Sequence, residues 1–313
     1  MDILDLIGQG QVKRYFRATR KLCTPNLVSH ITQRAAGKEP LFLEDADYLF
    51  MLGLIKEISH QFSLQMYAFC LMQNHIHLLL RPREDNLYDA MRNLFSRYAM
   101  KFNRKYERRG HLFGGPYRQS VCMDDRYLLA ASLYIHLNPV KAGLAKSPEA
   151  YRWSSCRLYY KDNAPKSFVD PDFILSLLSG DKSNRKVQYR LLLKKGREVE
   201  VDRVLEKKDA IERFQSKLAA IFPALFRHVD KKRQIAITSG IEIPEMAELE
   251  KAIKSLRKGN LHSKPESRKA KKYLVEQLMA RGYKREEIAE RLGISRKTIY
   301  NILKSPPGEN FRN

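Results

Sequence analysis

The stretch Leu64-Gln-Met-Tyr-Ala-Phe-Cys-Leu-Met-Gln-Asn-His-Ile-His-Leu-Leu-Leu-Arg81 decides the fold. Leu64–Leu71 is apolar and aromatic and reads as a strand. Gln73-Asn74 breaks it, His75–Arg81 reads as a second strand, and Pro82 stops that one. Two strands joined by so short a polar break form a β-hairpin. Along a strand, side chains two apart share a face, so His75 and His77 point the same way while Ile76 points into the opposite, packed face.

Upstream of the hairpin, Leu27–Gln33 alternates apolar and polar residues, as a half-buried strand does. Ala36-Gly-Lys-Glu-Pro40 is a turn. Asp45 then precedes a helix carrying Leu49, Phe50, Leu52, Leu54, Ile55 and Ile58 and ending near His60. Downstream, a long basic amphipathic helix runs from Leu87 to about Arg108, Gly110–Pro116 is a loop, and Tyr117–Met123 is a short strand. Asp124-Asp125 caps a helix from Arg126 to about His136, which Asn138-Pro139 ends. The order strand, helix, strand, strand, helix, strand, helix is that of an α+β ferredoxin-like split βαβ sandwich, with an antiparallel sheet and one added helix. It fills residues 25–160, behind a basic N-terminal extension, 1–24, that includes a short helix.

An all-α region follows. Residues 161–260 read as a helical connecting region, with a polar linker at Lys161–Ser167 and helices at Phe173–Leu178, Asp209–Phe222 and Glu245–Leu256. Residues 261–313 read as a helix-turn-helix domain. Arg285–Leu292 and Arg296–Lys304 are its helical pair, Gly293-Ile294-Ser295 its turn, and Ala270–Arg281 the third helix. Ile288, Ala289, Leu292, Ile294, Ile299 and Leu303 fall at core spacing, and Ser295 suits the N-cap of the last helix. The outward residues Arg296, Lys297, Tyr300 and Asn301 suit a major groove.

The 313 residues carry 58 Lys and Arg against 35 Asp and Glu, a net charge of +23, and residues 251–313 alone carry 17 against 6. Such an excess speaks of polyanionic partners. No apolar run approaches the ~18 residues of a membrane span, and the opening Met1-Asp2-Ile3-Leu4-Asp5 lacks the basic start of a signal peptide. The expected partners are therefore nucleic acids rather than membranes, in the cytoplasm, close to the nucleoid. Cys23, Cys70, Cys122 and Cys156 are widely spaced and read as reduced, buried thiols. There is no GxxxxGK[ST], HExxH or GxSxG motif, so nucleotide hydrolysis and serine hydrolysis have no support.

Three arrangements carry chemistry. His75 and His77 can chelate one metal ion or present two imidazoles to one phosphate. Tyr134 and Asn138, four apart, share a helix face, and a phenol there can attack a phosphodiester. Tyr127, seven residues earlier, lies near the same face and is a rival nucleophile. Arg97, Lys101, Arg104, Lys105 and Arg108 share one side of the long helix among Tyr98, Phe102 and Tyr106, a pattern suited to a nucleic-acid backbone and unstacked bases.

Taken together, Leu71-Met-Gln-Asn-His-Ile-His-Leu-Leu-Leu80, Tyr134-Ile-His-Leu-Asn-Pro-Val-Lys-Ala-Gly-Leu144 and Tyr151-Arg-Trp-Ser-Ser-Cys-Arg-Leu-Tyr159 resemble the signatures of HUH single-strand DNA transposases, specifically the REP-associated tyrosine transposases. The resemblance covers about residues 25–160. It implies an enzyme that cleaves and rejoins hairpin-forming single-stranded DNA through a 5′-phosphotyrosine link. It implies Mg²⁺ or Mn²⁺ on His75 and His77, a third ligand at Asn138, and Tyr134 as nucleophile. Two departures stand out. Gly114-Gly115-Pro116-Tyr117 replaces a Gln-Gly-Arg-Phe-like run, leaving Arg118 as the nearest cation, and Ser132-Leu133 precedes the tyrosine where an arginine is common. They keep open a domesticated, non-catalytic regulator acting through the helix-turn-helix, and an RNA-directed protein is a third reading. The expected partners are single-stranded or hairpin DNA and duplex DNA, with a homodimer as an allowed assembly.

Overall fold

The computed structural model describes residues 21–37, 39–200, 209–240, 244, 246–258 and 265–304. The short helix expected within 1–24 lies outside the described residues, as does the expected helix start at Glu245. The chain divides into two compact units, residues 25–239 and, among the described residues, 21–24 with 240–304.

The first unit is built on four strands, β1 (Ser29–Arg34), β2 (Leu64–Met72), β3 (His75–Pro82) and β4 (Arg118–Val121). They lie in the order β2-β3-β1-β4, and every neighbouring pair is antiparallel. Helices α1 (Asp45–Gln61) and α2 (Leu87–Lys105) connect them, giving the expected ferredoxin-like α+β arrangement. A bulge between Met66 and Ala68 shifts the register of β2 on β3.

Helix α3 (Asp125–Lys141) covers one face of the sheet. Its buried residues share a core with Ala68, Cys70, Met72 and Leu79, while no α1 or α2 side chain belongs to that core. Strand alternation assigns α1 and α2 to the other face, against Ile31, Ile76, Leu78 and Leu80. The start of α3 is as expected: the Asp124 carboxylate accepts from the Tyr127 N–H at 2.7 Å. Its end is not. Pro139 sits inside the helix, which runs one turn further to Lys141. Proline removes a single ladder bond, and Ala142 N–H to Asn138 (2.9 Å) and Leu144 N–H to Pro139 (2.8 Å) close the remaining turn.

The stretch read as connecting region divides. Helices α4 (Cys156–Tyr160), α5 (Asp172–Leu175), α6 (Lys182–Glu198), α7 (Ala210–Ile221), α8 (Pro223–Asp230) and α9 (Gln234–Ser239) belong to the sheet unit, and α5 to α8 pack on or around α3. Helix α6 comes close enough that a Cβ on Gly196 would sit 2.7 Å from Leu137 Cδ1. The buried Asp125 carboxylate accepts from the Gln234 and Ile235 N–H groups at 2.6 and 2.7 Å, tying the start of α9 to the start of α3.

The Tyr151–Ser155 motif has a structural task. Leu71 N–H donates to the Trp153 carbonyl at 2.9 Å, and Phe69 N–H donates to Ser155 Oγ at 2.9 Å. Asp170 N–H bonds Met66 at 2.8 Å further along, so the outer edge of β2 is paired rather than bare. Buried His136 bridges Ser155 Oγ and the Tyr189 hydroxyl, both at 2.8 Å, and locks α3 to this edge and to α6. None of the four cysteines is in a disulfide and all four are buried, as expected.

In the second unit, α10 (Met246–Lys258), α11 (Pro265–Ala280), α12 (Arg285–Leu292) and α13 (Arg296–Lys304) enclose their own core, which includes Leu274, Leu278, Ile288, Leu292, Ile299 and Leu303. Ile294 is only half-buried. Gly293 takes φ +64°, the left-handed cap that lets α12 stop and the chain turn. Ser295 Oγ accepts from the Thr298 N–H at 3.0 Å, capping α13 as its sequence position suggests. No helix among the described residues is long and apolar enough to cross a membrane.

Candidate active site and nucleic-acid interface

The register of the sheet assembles the site. His77 lies opposite Thr32 on β1 and opposite Cys70 on β2, and Thr32 in turn lies opposite Arg118 on β4. Opposite residues share a face, so Arg118, Thr32, His77 and Cys70 form one row. The next row is Arg34, His75 and Met72, and on the other side of His77 lies His30 opposite Leu79. This is the face that α3 covers.

His75 and His77 rings meet edge-on with centroids 4.8 Å apart. The Tyr134 ring stands edge-on to His77 at 6.0 Å. Tyr134 is 6% exposed and also packs edge-on to Phe214 of α7. Asn138, one turn on, is half-buried, and its Nδ2 donates to the Tyr134 carbonyl at 2.9 Å, which leaves Oδ1 as its acceptor. His75, His77, Tyr134 and Asn138 are thus carried by two elements stacked face to face. Tyr127 is buried at the other end of α3, and burial pushes its phenol well above the ordinary range, with Glu212 and Cys122 adding to the rise.

His77 is buried, and its Nε2 has no hydrogen-bond partner among the described residues. Burial, and then the neighbouring His75 and His30, hold its pKa well below the ordinary value, so the ring is neutral near pH 7. A buried orphan nitrogen on a neutral imidazole is what a divalent-cation ligand presents. His75 Nδ1 meets the Asn74 Oδ1 at 2.7 Å; that oxygen only accepts, so the proton sits on Nδ1. Among the described residues no three His, Cys, Asp or Glu side chains form a metal-holding cluster. The side chains here that could hold a cation are the His75 and His77 imidazoles, and the neutral Asn138 carboxamide lies one helical turn beyond Tyr134.

Sequence reasoning missed three residues of this face. His30 is buried with its Nε2 2.9 Å from His77 Nδ1, Thr32 Oγ1 lies 3.4 Å from the same nitrogen, and Arg34 is exposed beside His75. Their signal, the alternation in His30-Ile-Thr-Gln-Arg34, shows only a strand until its pairing with β3 is known.

The basic residues expected on the long helix stand elsewhere, and Arg108 lies past its end, since α2 stops at Lys105 rather than near Arg108 and Glu107 takes a left-handed φ of 50°. They lie on the helix pair behind the opposite face, away from His75 and His77. Arg97 makes a two-pronged pair with Glu57 at 2.6 and 3.0 Å. Lys105 bonds Asp47 at 2.6 Å and also Glu44, and Arg108 pairs with Glu39. Burial pushes the Asp47 carboxyl up, but hydrogen bonds from Lys105, the Leu43 N–H, Tyr106 and the Glu44 N–H outweigh it and hold the group below its ordinary value. Lys101 lies over the Phe50 ring at 5.7 Å, and Arg104 is exposed. Arg118 does share the histidine face and is exposed.

In the second unit Ser295, Arg296, Lys297, Tyr300 and Asn301 are all exposed on α13 or at its cap. Arg296 makes one surface pair with Glu286, at 2.8 Å, and Lys304 lies over Tyr300 at 4.7 Å. Buried Glu276 on α11 has its carboxyl pushed above the ordinary range by burial, against a partial offset from Lys272.

Residues 23–138 match the family described as "Transposase IS200 like". Residues 266–306 match the homeodomain-like domain. A solved structure of a REP-associated tyrosine transposase bound to a REP hairpin aligns at 15% identity and a TM-score of 0.39, covering 50% of this chain and 92% of that one. No curated protein matches the chain.

Proposed function

We propose that the IS200-like segment and the homeodomain-like segment together make a DNA transposase. On this reading the chain cleaves and rejoins hairpin-forming single-stranded DNA at the histidine face and holds duplex DNA with α13. The observation that carries the reading is the edge-on meeting of Tyr134 with the buried, neutral His77 beside His75. The match of residues 23–138 to IS200-like transposases supports it.

Tyr134 Oη attacks the scissile phosphorus and loses its proton to water. The new bond is Oη–P, the P–O3′ bond breaks, and the 3′ oxygen leaves with a proton as a free hydroxyl. The 5′ side stays on the enzyme as a phosphotyrosine ester, which a second strand's 3′-OH reverses with no net change in bonds. A bound Mg²⁺ or Mn²⁺ would polarise the phosphate and neutralise charge as it develops there. His75, His77 and Asn138 would hold that ion. Arg34 and Arg118, exposed on the same face, would hold the flanking phosphates. Packing of Tyr134 between His77 and Phe214 fixes the ring for attack.

The test is a labelled hairpin DNA oligonucleotide with Mn²⁺. The expected result is a covalent adduct with the wild type and none with Tyr134→Phe. An adduct that survives in Tyr134→Phe and disappears in Tyr127→Phe moves the nucleophile to Tyr127. Duplex binding with no adduct from any hairpin leaves the regulator reading, and a stronger response to an RNA hairpin of the same sequence redirects the substrate class.

A further inference from the structure

His30 does nothing in the scheme above, yet it is buried on the reacting face itself, against His77. Its Nε2 lies 2.9 Å from His77 Nδ1, the two rings stack with centroids 5.1 Å apart, and Thr32 Oγ1 sits 3.5 and 3.4 Å from those same two nitrogens. The outer nitrogens, His30 Nδ1 and His77 Nε2, are buried with no hydrogen-bond partner among the described residues.

Only two proton arrangements satisfy the short contact between neutral rings. In one, His77 Nδ1–H donates to His30 Nε2, and His77 Nε2 keeps its lone pair. In the other, His30 Nε2–H donates to His77 Nδ1, and the proton on His77 then occupies Nε2, which can no longer ligate. The companion histidine has no such choice, because Asn74 Oδ1 accepts from His75 Nδ1. A strand residue 47 positions away therefore governs the one ligand whose tautomer its own neighbours leave open.

We propose that His30 is a positioning residue that accepts from His77 Nδ1–H, fixing the His77 ring and aiming its Nε2 lone pair at the divalent cation. This rests on the cation site proposed above. It gives His30-Ile-Thr a role in metal capture through a second shell of interactions. Asn74 and His30 form a matched pair of supports, one behind each imidazole.

The test uses the full chain in two measurements. Calorimetric titration with Mn²⁺ compares wild type, His30→Leu, His30→Gln and His77→Ala, after circular dichroism has shown each to be folded. Leucine removes the acceptor, and glutamine restores one near the Nε2 position. The expected result is a loss of about 10–100-fold in Mn²⁺ affinity for His30→Leu, with most of it recovered in His30→Gln. Wild-type affinity in His30→Leu overturns the proposal, and so does equal loss in Leu and Gln, which marks a packing role. The second measurement needs no variant: two-bond ¹⁵N–¹H spectra of the wild type with Mg²⁺ should show the His77 proton on Nδ1, and a proton on Nε2 overturns the lock. Affinity unchanged in His77→Ala, or no Mn²⁺ uptake by wild type, fells the cation site and this proposal together. Loss in His77→Ala with none in His30→Leu fells this proposal alone.

Discussion

Helix α2 and helix α13 look alike as sequence and differ as structure. Both are short-period basic helices with aromatics between the charges. On α2 Arg97 and Lys105, and just beyond it Arg108, are engaged by Glu57, by Asp47 with Glu44, and by Glu39. On α13, Lys297, Tyr300 and Asn301 reach solvent, and only Arg296 has an acidic partner among the ion pairs of the described residues. A basic face engaged along its length by carboxylates of its own fold is a poorer phosphate surface than one with a single exposed pair. The two units differ in a second way. The sheet unit buries histidines that stay neutral, and the second unit buries a carboxyl, Glu276, that stays protonated.

The largest effect expected is on α13. Replacing Arg296 and Lys297 together by alanine should weaken duplex binding about 100-fold, or about 2.8 kcal/mol, and lower the slope of log affinity against log salt by about 2. A salt titration by fluorescence anisotropy reads both, and an unchanged slope breaks the contrast with α2.

Next comes acid stability of the metal-free chain. Burial holds the His136 pKa at about 3. The unfolded chain, with pKa about 6.5, therefore binds the extra proton first as pH falls. Stability from this group is complete above about pH 6.5 and is lost on the way down to about pH 3, at about 1.4 kcal/mol per pH unit. His136→Gln should lower the acid slope in urea melts by that one group's share, leaving the part due to His30 and His77, and an unaltered slope refutes the buried neutral ring.

The second unit should respond with opposite sign. Glu276 has a folded pKa above its unfolded value, so its contribution is present below about pH 4.5 and fades as pH rises. Site-resolved hydrogen exchange should show α11 gaining protection in acid while β3 loses it. Both moving the same way would erase the distinction. The smallest effect is on α2: Arg97→Gln should change hairpin-DNA affinity by less than about twofold, since that guanidinium already has its carboxylate. A tenfold loss would put α2 back in the interface.

Most of the fold was legible because its signals are local. The hairpin, the Asp124 and Ser295 caps and the Gly293 turn each depend on residues within a few positions of one another. Helix α6 was not, because its apolar stripe is only Tyr189, Leu192 and Leu193 in a chain otherwise rich in Lys and Arg. Pro139 misled for the same reason in reverse, since a strong local stop is overridden by packing around Leu137. In the candidate site, spacing paired His75 with His77 and Tyr134 with Asn138, whereas His30 and Arg34 enter through strand register. The acids that engage Arg97, Lys105 and Arg108 lie 40 to 69 residues away from them, beyond any pattern in the helix itself.

The closed outer edge of β2 bears on how the chain emerges during synthesis. All four strands and α3 have been made once residue 141 is out, yet the Trp153–Ser155 and Asp170 contacts that seal the edge come later. Helices α5 to α8, which cover α3, arrive later still, and residue 239 follows about 5–20 s behind residue 141 at common elongation rates. For that interval the nascent sheet offers an unpaired strand and an uncovered apolar helix. A holding chaperone, or slow release from the ribosome, would act on the β2 edge and α3 in that window.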